Sequence, residues 1–273
     1  MSETWRRVAR EVTPPMLARA LSGQARHETR LVDGYESWDA AVDAAHGYDE
    51  AELLSHVVAA TELVTSGAAA FERDGVTFEK LEYRWPVVGA LLWQAARHNG
   101  HLRVLDFGGS LGSTFRQYQP LLTDLDVRWT VVEQPAFVSA ASAYTTDQLT
   151  FHTTIASAIA VSVPTVVLFS SVLQYVPLPH AVLREAADCG AEAIIIDRTP
   201  MTSLDSDVPS LQVVPPALYE ASYAAWLLSK TRLINDLPLW EVIDEFAGIE
   251  PPTTSKKGIE VRWDGMILAR QRP

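Results

Sequence analysis

The 273-residue sequence predicts an α/β fold, with a mostly parallel sheet covered by helices behind a helical N-terminal region. Three observations lead there. After Gly100 short apolar runs alternate with helical segments, the pattern of strands buried on both faces. The first of those runs ends in a glycine-rich turn, Gly108-Gly109-Ser110-Leu111-Gly112. Before Gly100, apolar residues recur mainly at helical spacing.

In chain order, Asp49 and Glu52 form a capping box, and Leu53, Val57, Ala60 and Val64 follow on one helical face. A second helix opens at Pro86, presents Val87, Val88, Leu91, Leu92 and Ala95, and stops near Gly100. Strands are expected at 102–107, 127–133, 149–152, 165–170 and 193–197, with helical segments between them. Beyond Pro200 a polar loop leads to an expected helix at 216–230, and 240–246 with 265–270 suggest a terminal antiparallel hairpin. The chain divides into a helical lid and substrate region, 1–99, and a ligand-binding α/β domain, 100–273.

The formal net charge of -12 opposes nucleic-acid binding, which needs clustered cations to displace phosphate counterions. The arginine-rich stretch 6–30 also carries Glu11 and Glu28, and reads as a solvated helical face. Cys189 is the single cysteine, so an intrachain disulfide and a cysteine zinc cluster are both excluded. The first residues lack an apolar signal region, and no apolar run reaches the roughly 18 residues of a membrane span. The expectation is a soluble cytoplasmic protein acting on a small molecule, without a nucleic-acid or membrane partner. A homodimer stays open.

Gly108, Gly109 and Gly112 let the strand-to-helix turn bend sharply and press backbone N–H groups against a ligand. A phosphate-binding Walker loop would need Gly-Lys-Ser/Thr, and a dinucleotide loop would need G-x-G-x-x-G; neither is spelled here. The run resembles instead the acidic-x-Gly-x-Gly-x-Gly loop of class I S-adenosylmethionine-dependent methyltransferases. Asp106, Gly108 and Gly112 match it, and Ser110 replaces the middle glycine. The resemblance implies a Rossmann-like, mostly parallel seven-stranded sheet, with Asp106 near the methionine part of the cofactor. Glu133 ends the second strand, where a carboxylate suits the two hydroxyls of a ribose. Gly109, Ser110, Gln134 and Ser170 complete the expected cofactor set.

Further motifs extend the resemblance: Phe71-Glu72-Arg73-Asp74-Gly75-Val76, Val132-Glu133-Gln134-Pro135, Ser170-Ser171-Val172-Leu173-Gln174-Tyr175, and Tyr219-Glu220-Ala221-Ser222-Tyr223 with Trp226. Together they are similar to a methyltransferase family of surface-polysaccharide and natural-product gene clusters. Within it the chain resembles indole C3-methyltransferases that act on tryptophan-containing cyclic dipeptides and trigger pyrroloindoline closure.

Ligands of open α/β sheets bind beyond the carboxyl ends of the strands. Ser170, Ser171, Gln174 and Tyr175 follow one such end, and Asp197, Arg198 and Thr199 another. The serines could instead cap a helix, and Asp197 could pair with Arg198. In the expected helix Tyr219, Tyr223 and Trp226 share a face; with Arg198 they are the candidate substrate contacts, although such a stripe also suits a core. Indole methylation leaves an iminium, and ring closure releases a proton to a base. His56, Tyr175, Asp197 and Glu220 are the candidates, with His56 preferred because imidazole titrates near neutrality. No metal is expected. The alternatives are O-methylation of a sugar or phenol hydroxyl, and a non-catalytic cofactor sensor or scaffold.

Overall fold

A computed structural model describes residues 30–46, 50–213 and 222–271. It begins with strand β1 (Arg30–Asp33), helix α1 (Trp38–Ala44) and helix α2 (Glu50–Thr65). Ser37 caps α1 by accepting from the Ala40 N–H. The capping box expected for α2 rests on Asp49, outside the described residues. Next come β2 (Phe71–Arg73) and β3 (Val76–Phe78), joined by Asp74-Gly75 with φ of 54° and 76°. An Asp-Gly pair with positive φ at both positions is the two-residue hairpin turn that matches strand twist. Helix α3 (Trp85–Arg97) has Pro86 in its first turn and buries Val87, Val88, Leu91 and Ala95.

Strands β4 (His101–Phe107), β5 (Asp126–Val132) and β6 (Leu149–His152) are parallel neighbours, separated by α4 (Ser113–Tyr118) and α5 (Pro135–Ala140). After α6 (Ile155–Ile159) the chain returns as β7 (Val166–Ser170) on the other side of β4, and α7 (Pro179–Ala187) leads to β8 (Ala193–Thr202), parallel beside β7. This reversal between β4 and β7 is a topological switch point, where a crevice opens beyond the strand ends. Val166, Val167, Leu168 and Phe169 are all buried, because helices cover both faces. Each such side chain contributes about 1.5–3 kcal/mol.

Strands β9 (Val208–Val213) and β10 (Ser222–Ser229) follow, then α8 (Lys230–Asn235), β11 (Trp240–Ala247), β12 (Thr253–Thr254) and β13 (Glu260–Arg270). β13 lies antiparallel between β8 and β11, which is the expected terminal hairpin. The order β6-β5-β4-β7-β8-β13-β11 is the expected seven-stranded sheet, six strands parallel and β13 opposed. An antiparallel ribbon β1-β9-β10 extends it where Leu228 pairs with Met201.

Two expectations are corrected. The helix at 216–230 is a strand over its described part: β10 pairs with β9 from Ser222↔Val213 to Leu227↔Val208. Tyr-Ala-Ala-Trp-Leu-Leu satisfies helical spacing and strand propensity alike, and the ladder partner decides between them. Along a strand, Tyr223 and Trp226 point to opposite faces rather than sharing one. The N-terminal region is also less purely helical than expected, since β1 joins the ribbon and β2–β3 form a separate hairpin. Among the described residues, no helix is long and apolar enough to cross a membrane.

Candidate active site

A cleft of about 1500 Å³ lies over the carboxyl ends of β4, β5, β7 and β8, walled by α1, α2 and the β2–β3 hairpin. A site for one small molecule occupies roughly 300–1,000 Å³, so the cleft has room for two.

The glycine turn forms its floor. Gly108 and Gly112 have φ of 72° and 87°, and Ser110 is left-handed as well at 56°. A side chain on Gly109 would lie 2.5 Å from the Asp106 carboxyl carbon, so the loop backbone packs directly on that carboxylate. Asp106 is 1% exposed and accepts a hydrogen bond from Trp129 Nε1 at 3.0 Å. Burial pushes its pKa up to about 7, with the Trp129 bond pulling down and the Glu133 charge pushing further up. A buried carboxylate with one neutral side-chain donor and no paired cation among the described residues is poised to receive a positive ligand.

Glu133 emerges from β5 half-buried on the same cleft. Its Oε1 accepts from the Ser110 N–H at 3.2 Å and its Oε2 from the Gln134 N–H at 2.8 Å, which fixes the carboxylate and leaves lone pairs facing the cleft. Burial raises its pKa. Gln134 is exposed on the cleft wall.

Where β7 ends beside the middle of the longer β8, the Ser170 hydroxyl donates to Asp197 Oδ2 at 3.3 Å, and Ser171 Oγ accepts from Gln174 Nε2 at 3.1 Å. Neither serine caps a helix. Asp197 pairs with Arg84, whose Nη2 and Nε reach Oδ1 at 2.7 and 3.1 Å, rather than with Arg198. Arg198 turns to Glu250 at 2.9 Å and Asp74 at 3.2 Å. Thr199 is buried and donates to the Asp197 carbonyl.

Aromatic side chains form part of the cleft wall. Trp38, Tyr175 and Tyr223 line it; the last two meet edge to face at 6.4 Å, and the Tyr175 hydroxyl donates to Gln212 Oε1 at 2.8 Å. Desolvation, reinforced by the Asp74 charge, pushes the Tyr175 phenol up to about 12. Trp226 is not on the cleft wall: it stacks on the back of Trp38 at 5.2 Å and donates to the Val176 carbonyl. His56 is exposed on α2 and off the cleft, which Leu53 and Val57 of that helix line instead. The structure therefore does not bring the preferred base to the site. Tyr219 and Glu220 lie outside the described residues.

Sequence reasoning gave no role to three charged residues of the cleft, Glu72, Arg73 and Arg84, although the first two fall in a motif that carried the resemblance. Glu72 is 4% exposed, accepts from the Ser113 hydroxyl and from the Gly75 N–H, and is pushed up to about 7 by burial. Arg73 lies beside it on β2, and Arg84 precedes α3. The Asp-Gly dipeptide signalled the hairpin carrying the first two. Among the described residues no cluster of three His, Cys, Asp or Glu side chains is arranged to hold a metal ion.

No family model matches the sequence, and comparison with curated proteins gives no match. Among solved structures the chain is similar to the N-terminal domain of EvdMO1 in the presence of SAH and D-fucose, at 19% identity over 82% of this chain and 98% of that one, TM-score 0.46. It is similar also to 1,6-didemethyltoxoflavin-N1-methyltransferase from Burkholderia thailandensis with bound 1,6-didemethyltoxoflavin and S-adenosylhomocysteine, at 14% identity over 84% and 93% of the two chains, TM-score 0.41. A third is magnesium protoporphyrin IX methyltransferase from Synechocystis PCC 6803 with bound SAM, at 15% identity over 68% and 79%, TM-score 0.39. The sheet order, with its antiparallel penultimate strand and its cleft at the switch point, is the α/β fold expected of class I methyltransferases.

Proposed function

We propose that the chain is an S-adenosylmethionine-dependent methyltransferase of a small natural product, with indole C3 of a tryptophan-containing cyclic dipeptide as acceptor. The observation that carries the cofactor reading is the pair Asp106 and Glu133, held on either side of a glycine turn that presses its backbone into the cleft. A loop with a desolvated carboxylate and no lysine suits a sulfonium–ammonium ligand better than a phosphate. When bound, the cofactor supplies an electrophilic methyl group bonded to a sulfonium sulfur.

The chain's own residues supply position. Glu133 accepts from a ribose diol, Asp106 faces the cationic amino-acid end, and Trp38, Tyr175 and Tyr223 offer faces and edges to a planar indole. Holding nucleophile and methyl in line in a closed site is the largest contribution available to such a reaction. As the dipeptide amide closes onto indole C2, its proton leaves to a base. Of the placed candidates, Asp197 is the carboxylate in the cleft; the Tyr175 phenol stays protonated at neutral pH and serves as a donor. The region 1–99 would act as the lid and substrate side of the site.

Incubation with S-adenosylmethionine and tryptophan-containing cyclic dipeptides, read by mass spectrometry, tests the acceptor. A product heavier by one CH₂, carrying a pyrroloindoline, is the expected result. Methylation only of sugar or phenol hydroxyls would replace the indole reading, and binding without any product would favour a sensor.

Two results are expected of the cofactor site itself. A cationic ligand favours the ionised form of Asp106, which in the free protein exists above about pH 7, so binding releases a proton as the pH falls below that point. Affinity for S-adenosylmethionine should fall by up to about tenfold per pH unit below neutrality, and Asp106→Asn should flatten that slope. A slope kept intact in Asp106→Asn would assign the proton to another group. Gly109→Ala should push the Asp106 carboxylate out of place and weaken binding about tenfold or more, with unchanged calorimetric affinity as the contrary result.

A further inference from the structure

Four arginines line the cleft among the described residues: Arg73, Arg84, Arg198 and Arg262. Three are already committed. Arg84 grips Asp197 and the Ala247 carbonyl, Arg198 holds Glu250 and Asp74, and Arg262 holds Asp264 at 3.0 Å. Arg73 differs. Its charge partner is Glu82 at 3.8 Å, outside hydrogen-bond distance, and Glu82 is mostly solvent-exposed. The Arg73 guanidinium lies 5.4 Å from the ring centres of Phe71 and Phe78, with its side chain 17% exposed. Its N–H donors thus have no hydrogen-bond acceptor among the described residues, while the rings strip away much of its water. Burial lowers its pKa and the neighbouring Arg198 charge lowers it further, against the opposing pull of the Asp74, Glu82 and Glu250 carboxylates, none of which it hydrogen-bonds.

An arginine in that state is matched by an anion, and a guanidinium fork fits a carboxylate in two-point contact. Its placement selects the carboxylate. Arg73 is adjacent to Glu72, which the Ser113 hydroxyl ties to the first turn of α4, immediately after the glycine loop. The β2–β3 hairpin is therefore anchored beside the loop over which Asp106 awaits a cation. Resting on the cofactor reading above, we propose that Arg73 binds the α-carboxylate of S-adenosylmethionine, so that the hairpin and the glycine loop grip the two charges of its amino-acid end together. Glu72 acts through the hairpin as a positioning residue. The cyclic dipeptide has no free α-carboxylate and does not compete for Arg73.

The test pairs Arg73→Gln and Arg73→Lys with two ligands, S-adenosylmethionine and its decarboxylated form, which keeps the sulfonium and amine and lacks only the carboxylate. Calorimetry on the full chain should show Arg73→Gln weakening S-adenosylmethionine about tenfold to hundredfold, with the decarboxylated ligand changed less than about twofold. Arg73→Lys should recover part of the loss. Equal weakening of both ligands, or none of either, overturns the proposal. So does unchanged S-adenosylmethionine affinity with a raised acceptor KM, which would give the arginine to the acceptor. If Arg73→Gln melts early, the decision passes to Arg73→Lys, where a loss confined to the carboxylated ligand supports the proposal and a loss common to both rejects it. Wild-type protein that binds neither ligand fails the cofactor reading itself, a result separate from wild-type binding that ignores the arginine.

Discussion

Arg84→Ala is expected to lower the melting temperature by roughly 10 °C. Arg84 and Asp197 are 14% and 2% exposed, and their bidentate contact joins the entry of α3 to the middle of β8. The same guanidinium donates to the Ala247 carbonyl at the end of β11 and lies over Phe246. Removing it leaves Asp197 buried with only the Ser170 hydroxyl as side-chain hydrogen-bond partner among the described residues. Breaking a buried pair on one side costs about 3–5 kcal/mol, because the remaining charge is uncompensated. In a chain of this size each kcal/mol corresponds to about 2–4 °C. Arg97→Ala is the control: Arg97 and Glu192 are 31% and 42% exposed, so screening limits that pair to less than about 1 kcal/mol. Thermal melts of the two variants check the account, and equal shifts would contradict it.

Glu133→Ala is expected to weaken S-adenosylmethionine binding about a hundredfold or more. A carboxylate that accepts from two ribose hydroxyls makes two charge-assisted hydrogen bonds, each of about 1.5–3 kcal/mol. The carboxylate is already fixed by the Ser110 and Gln134 N–H groups, so little ordering cost offsets them. Glu133→Gln keeps the shape but replaces one acceptor by a donor, and should fall between wild type and Glu133→Ala. The free protein should melt near the wild-type temperature, because water can reach the two N–H groups at this half-buried position. Calorimetry reads the loss, and an unchanged dissociation constant would remove the ribose role.

The parallel strands were legible because a strand buried on both faces must be an uninterrupted apolar run, and Val166–Ser170 or Ala193–Ile196 can hardly be read otherwise. The glycine turn was legible because positive φ and close approach leave few other residues usable. β10 was not, since spacing cannot distinguish Tyr223 and Trp226 on a helix face from the same pair on opposite strand faces; β9 had to be in place first. Contacts between distant segments were equally hidden. Arg84 and Asp197 are 113 residues apart, and nothing local to Arg84 identifies its partner. His56 shows the converse: a side chain of suitable chemistry on a correctly expected helix points away from the cleft, because Leu53 and Val57 take the inward face.

The central claim is that the cleft at the switch point binds S-adenosylmethionine, and calorimetric titration of the wild-type chain with that cofactor tests it most directly. The account predicts one saturable site, weakened about a hundredfold or more in Glu133→Ala and accompanied by proton release near neutral pH. A flat titration at high cofactor concentration, with the protein folded by its melt, would contradict it.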